Sequence, residues 1–205
     1  LMEAGLEPRR LPIGPEVEGH SFSASIPATI PGSTADTLLL IAPLNHADQA
    51  GPREDGGAAI ATLLRLARIY ADSTPPVTLR FAFVGADHDD RSLGSRSLIA
   101  RMGTEPTVAA IYLAQRGAGA SFSLRTASRD EVAPRWLVEG LSQALRNNAV
   151  SHSLSLTRAQ AARARRAGEE TPIADYMTAG IPAVALTATA DDRAPPGPQT
   201  VAPPE

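Results

Sequence analysis

Two predominantly apolar runs, "LLLIAP" ending at Pro43 and "TLRFAFVG" ending at Gly85, stand out from the alternating pattern around them. Short runs of this kind mark strands covered by helices on both faces, because neither set of alternate side chains meets water. Strand-like patterns occupy Glu18 to Ile26, Thr37 to Ala42, Val77 to Val84, Val108 to Leu113, Ser121 to Thr126, Ser151 to Leu156 and Pro182 to Thr187. The stretch "AAIATLLRLARIYA", Ala58 to Ala71, puts Ile60, Leu63, Leu64 and Ala67 on one face and predicts a helix lying on a sheet. Leu93 to Met102 and Arg135 to Asn147 read the same way. In "ETPIADYMTAGIPAVAL", Thr171 is a capping residue, Pro172 suits the first helical position and Gly180 suits the stop before a strand near Pro182. Helices alternating with strands make the class α/β, with a mixed, mostly parallel sheet.

The 205 residues, 43% of them apolar, suffice for one buried core. That domain is expected to span residues 1–190; from Asp191 the composition turns to "DDRAPPGPQTVAPPE", a proline-rich tail or linker with too few apolar residues to pack. The opening "LMEAGLEP" reads as the last turn of a helix feeding a strand, so the chain is expected to be an excerpt of a longer one. Aromatic residues make up only 4%, which predicts an aliphatic core, with Trp136 as the anchor of its helix. A net charge of −3 argues against a nucleic-acid partner, although all 19 basic residues are arginine. The one basic cluster, Arg158, Arg163, Arg165 and Arg166, reads as a solvated helix face. Cysteine is absent, which excludes disulfides, thiolate catalysis and cysteine-held zinc. No run of apolar residues is long enough to span a membrane.

In α/β folds the loops at the carboxyl ends of the strands collect functional groups. Three such loops are polar here: "PLNHADQAGPREDGG", "GADHDDRSLGS" and "AQRGAG", the first two acidic and histidine-bearing. Taken alone, Asp87 to Asp90 is a solvated turn with an aspartate capping the helix that follows. Set beside its neighbours it reads as part of a metal site. His20 and His152 lie in strand-like stretches with no partner in view, and "GASFSL" around Ser121 lacks the pattern of a nucleophile elbow.

These residues resemble the zinc-dependent exopeptidases, the superfamily of bacterial leucyl aminopeptidase, glutamate carboxypeptidase and the glutaminyl cyclases. The resemblance is carried by "DGGAAIATLLRLA", "RFAFVGADHDDRSLGSRSL" and "YMTAGIPAVAL", and runs from Leu1 to Leu186. It implies a three-layer α/β/α fold with a two-zinc cleft. Carried over position by position, the bridging carboxylate falls on Asp55. Counting back from Gly94-Ser95, the general base becomes His88 and its ligand neighbour Asp89; counting forward from Gly85-Ala86, the pair is Asp87 and His88. The first histidine position holds Pro43, with His46 and Asp48 recreating His-x-Asp three residues later. The later aspartate position holds Ala114 and the final histidine position Ile173.

Catalytic zinc requires about three protein ligands with an open position for water, and a two-metal site requires more. Asp55, Asp89 and His46 fall short of that set, although Glu54, Asp55, Asp87 and Asp89 would make a weak oxygen-only site for a hard cation. The expectation is therefore a catalytically degenerate domain, without cofactor, that keeps the former cleft for a peptide or protein partner. The alternative is an active zinc aminopeptidase using His46, Asp55, His88 and Asp89 in a shifted geometry. A narrower similarity, to the non-catalytic aminopeptidase-like luminal subunit of the GPI-anchor transamidase, rests on "GLE", Pro43 and "DHDDRSLG". It implies a module of a larger membrane-associated protein on the extracytoplasmic or luminal face.

Overall fold

The computed structural model describes residues 1–2, 5–17, 20–44, 57–87, 92–103, 106–114, 121–128, 131–154, 162 and 173–189. Ten strands and four helices follow in chain order. They are β1 (Leu11–Val17), β2 (His20–Ile30), β3 (Thr37–Pro43), α1 (Gly57–Tyr70), β4 (Thr78–Val84), α2 (Leu93–Met102), β5 (Thr107–Ala114), β6 (Ser121–Arg125), β7 (Ala127–Ser128), β8 (Glu131–Val132), α3 (Arg135–Asn147), β9 (His152–Leu154), α4 (Ile173–Thr178) and β10 (Ala183–Thr189). Eight strands form one mixed sheet in the order β1-β2-β4-β3-β5-β10-β6-β9, and β7 pairs with β8 separately. Its centre, β4-β3-β5-β10, is parallel throughout, whereas β1, β2 and β6 run antiparallel to the inner neighbours they pair with.

Side-chain alternation along the two apolar runs divides the core into two layers. Leu39 and Ile41 of β3, with Ala82 and Val84 of β4, pack with Leu98 and Met102 of α2, Leu137 and Val138 of α3, and Ile173 and Tyr176 of α4. Their neighbours Ala42, Leu79, Phe81 and Phe83 turn the other way and pack on Ala59, Leu63 and Ala67 of α1. The result is helix, sheet, helix in three layers. Small alanines on α1 let the helix lie close to the large side chains of β4.

The structure changes three points of the sequence reading. The strand expected over Glu18 to Ile26 lies within β2, but the sequence reading missed β1, which pairs with it antiparallel in a register that shifts between Ile13 and Glu16. Proline and glycine in "LPIGPEV" look like breakers, but β1 is an edge strand, where proline is tolerated, and Gly14, at φ 82, supplies the irregularity. Trp136 does not anchor the core: it is 57% exposed, while the buried face of α3 is Leu137, Val138 and Ser142. Nor is the core purely aliphatic, since Tyr112 and Tyr176 are its largest fully buried side chains. The tail from Asp191 and the arginine cluster lie outside the described residues.

Where β4 gives way to α2, backbone meets backbone. A Cβ on Gly94 would collide with the carbonyl oxygen of Gly85, held in turn by its N–H donating to Ala24 O at 3.1 Å. Alanine would raise helix propensity by up to about 1 kcal/mol, yet the carbonyl cannot retreat without breaking the β4–β2 contact. Gly94→Ala is expected to destabilise the fold by about 1–3 kcal/mol, read from urea unfolding; unchanged stability would show that α2 shifts freely.

Candidate functional site

The carboxyl ends of the parallel strands bring Pro43, Asp87 and Ala114 to one edge of the sheet. Pro43 ends β3 opposite Val84, Ala114 ends β5 opposite Thr187, and Asp87 follows β4 through Gly85 and Ala86. Ile173 begins α4 and is fully buried. His46, Asp48, Glu54, Asp55, His88, Asp89 and Asp90 lie outside the described residues. Among those described, no three histidine, aspartate or glutamate side chains gather as a metal-holding group.

Asp87 is the one acid of the loop whose surroundings are described, and its oxygens face α2. Ser95 N–H donates to Oδ1 at 2.8 Å, and the Ser95 hydroxyl donates to Oδ2 at 2.5 Å. Tyr112, reaching from β5 two strands away, donates its hydroxyl to Oδ2 at 3.0 Å. Behind it, the Tyr176 hydroxyl of α4 donates to Ser95 Oγ at 2.9 Å. One carboxylate thus ties together the end of β4, the first turn of α2, strand β5 and helix α4.

The local reason is an absent cap. Ser92 precedes α2 in a left-handed conformation, φ 35 and ψ 40, and its side chain caps nothing. The first-turn N–H groups of a helix have no partner within it, and Ser95 N–H is one of them. Asp87, eight residues upstream, supplies the acceptor, and its charge suits the positive end of the helix dipole. The chain returns over this point with Ala86 at φ 53 and Leu93 N–H donating to Ala86 O at 3.1 Å. For Asp87, then, the capping reading of the loop is the one its geometry supports.

Burial pushes the Asp87 carboxyl above its ordinary value, outweighing the hydrogen bonds from Ser95 and Tyr112 that favour the charged form; nearby Asp175 adds to the rise. Burial also raises the Tyr176 phenol, with the negative charges of Asp87 and Asp175 adding to it, so this hydroxyl stays protonated as a donor. At the surface, Arg96 of α2 pairs with Asp175 of α4 at 2.9 Å, an exposed contact worth under about 1 kcal/mol. It braces the same two helices that Tyr176 and Ser95 join inside.

Ser95, Tyr112 and Tyr176 are absent from the sequence-derived site. Ser95 stands there only as part of a Gly-Ser framework and Tyr176 only as a helix residue. No periodicity links positions 8, 25 and 81 residues apart. His152 also gains partners: Ser142 Oγ lies 2.8 Å from Nε2 and the Val150 carbonyl 3.1 Å from Nδ1, which fastens β9 to α3.

A three-layer α/β fold with this edge is the fold of the zinc aminopeptidases. LapA aminopeptidase of Legionella pneumophila superimposes with a TM-score of 0.66 at 14% identity, over 92% of this chain and 50% of that one. BSAP, a zinc aminopeptidase from Bacillus subtilis, gives 0.63 at 17% identity, over 86% of this chain and 42% of that one. A leucine aminopeptidase precursor from Bacteroides thetaiotaomicron gives 0.60 at 13%, over 92% of this chain and 73% of that one. The chain spans about half the length of LapA. No curated protein sequence matches it. The family model TP_0564_1st, described as the first domain of its family, matches residues 58–194, more than half of the chain, and the chain belongs to that family.

The fold implies zinc, and the described positions can be tested for it by their chemistry. Pro43, Ala114 and Ile173 offer no side-chain lone pair, and both Asp87 oxygens already accept hydrogen bonds from within the fold. These described positions therefore supply no zinc ligand, while the candidates His46, Asp55, His88 and Asp89 lie outside the described residues.

If Asp87 is a structural clasp, Asp87→Ala should cost about 1–3 kcal/mol, since Ser95 N–H and the Tyr112 hydroxyl lose their acceptor. Asp87→Asn keeps an acceptor for Ser95 N–H and should cost less. The pH dependence has a definite sign. With its folded value raised above the ordinary 3.8, Asp87 contributes stability that is fully present below 3.8 and lost as pH rises through the folded value. Asp87→Asn should therefore gain on the wild type between acid and neutral pH, measured by urea unfolding at several pH values. A difference that is flat or falls with pH would remove the clasp from the account.

Proposed function

We propose that this chain is a zinc-aminopeptidase-like domain that binds rather than cleaves, its former cleft receiving a peptide or protein partner. The observation that supports the reading is the chemistry at the carboxyl ends of the strands. Proline, alanine and isoleucine stand at three positions where the resemblance expects metal ligands, and Asp87 holds a helix in place. In the aminopeptidase mechanism that the resemblance implies, a metal lowers the pKa of the water nucleophile, and a hydrophobic side chain cannot help hold one. Peptide binding needs only a shaped cleft with hydrogen-bonding groups, which loss of metal ligands leaves intact.

The similarity to the luminal transamidase subunit extends this reading to a module of a larger membrane-associated protein, facing the extracytoplasmic or luminal side. Its support is "GLE", Pro43 and "DHDDRSLG". No described helix is long and apolar enough to cross a membrane.

Metal analysis of the chain purified without chelator should find less than one zinc per molecule. Hydrolysis of aminoacyl-nitroanilides should stay at the blank rate with or without added zinc. Stoichiometric zinc together with chelator-sensitive turnover would overturn the proposal and establish the shifted site of His46, Asp55, His88 and Asp89 in its place.

A further inference from the structure

Helix α3 packs inward on β9 and β10, burying Leu137, Val138 and Ser142. Its outer face carries Trp136, 57% exposed, and one turn later Gly140. A Cβ built on Gly140 would meet no described atom within 4 Å, so the described fold gives no reason for glycine there. Glycine is the poorest helix former after proline, and alanine would suit a solvated helix better. A knob and a hole thus share one face, four residues and about 6 Å apart along the helix axis.

Such a face fits a copy of itself. When two α3 helices meet antiparallel about a two-fold axis level with Val138, each Trp136 lies over the other's Gly140, where the missing side chain lets the indole reach the backbone. The charges suit the same pairing. Arg135 and Glu139 stand on one flank of the face, joined within the helix at 2.7 Å and both exposed. Across an antiparallel two-fold a flank faces its own copy, so Arg135 of one molecule comes level with Glu139 of the other to within about 3 Å along the axis. The reciprocal pair forms with it. A parallel pairing would instead set Arg135 against Arg135 and the two positive helix N-termini side by side. The other polar groups of the face need no partner, since Gln143 Nε2 donates to Asn147 Oδ1 at 2.7 Å and Arg146 Nη2 donates to Gln143 Oε1 at 2.8 Å within the helix.

From this arrangement we infer that the outer face of α3 is a contact between two copies of this chain, an antiparallel helix pair in which each Trp136 seats on the other copy's Gly140. One helix face falls short of the roughly 1,200–2,000 Å² of a standard interface, so the pair is weak, with a Kd of the order of 0.1 mM.

The test is sedimentation equilibrium of the full chain from about 10 µM to about 1 mM, with the emission of Trp136, the chain's one tryptophan, read over the same range. A dimer should form as concentration rises, and the emission should move to shorter wavelength as the indole is covered. Gly140→Glu, which fills the hole, and Trp136→Ala should each weaken the dimer by at least about tenfold. Arg135→Glu puts two acids on each facing flank and should weaken it by at least about fivefold, whereas adding Glu139→Arg reverses both charges and should restore it. All four positions are exposed, so the thermal melts of these variants should stay near that of the wild type. A chain still monomeric at about 1 mM, a dimer indifferent to Trp136→Ala or Gly140→Glu, or a double reversal no better than Arg135→Glu would overturn the inference.

Discussion

A helix that starts inside a protein must find acceptors for its first N–H groups, and in this fold the acceptor is Asp87. Its carboxylate answers the Ser95 N–H at 2.8 Å and collects the Tyr112 hydroxyl from across the sheet. Hydrogen bonds to a charged partner are each worth about 1.5–3 kcal/mol, and they recover part of the cost of burying the charge, which still outweighs them. Gly94 allows the close approach, because any side chain there would strike the Gly85 carbonyl. Tyr176 then closes the network onto α4, so the packing of two helices against the sheet rests on one acid and its three donors.

That arrangement bears directly on chemistry. The aminopeptidase fold presents its reactive groups at the carboxyl ends of the parallel strands, where loops project from a rigid frame. Here the frame is kept and the described groups at that edge have other uses or none: Asp87 is a clasp, Pro43 and Ala114 end their strands, and Ile173 fills the core. Packing and catalysis constrain different residues, so a fold does not by itself carry its usual chemistry.

Much of the architecture was legible in the chain. Helix α3 spans Arg135–Asn147, as the amphipathic pattern placed it, and α2 spans Leu93–Met102 likewise. The apolar runs became two of the four central strands, β3 and β4, because both their faces are covered. Strand β1 was hidden by its proline and glycine, which only an edge position with an irregular register makes acceptable. Trp136 misled in the opposite direction: size and apolarity suggest burial, yet its azimuth on α3 points away from Leu137 and Val138. The partners of Asp87 left no local trace, because the contacts join residues up to 81 positions apart across the whole network.

The sequence by itself determined element types, the α/β class and the absence of metal donors at Pro43, Ala114 and Ile173. Side-chain chemistry and short-range periodicity do not depend on where the chain goes next. Only the tertiary structure decided what Asp87 does. A carboxylate in an acidic loop is a ligand, a base or a cap according to which donors it meets, and those donors come from β5, α2 and α4.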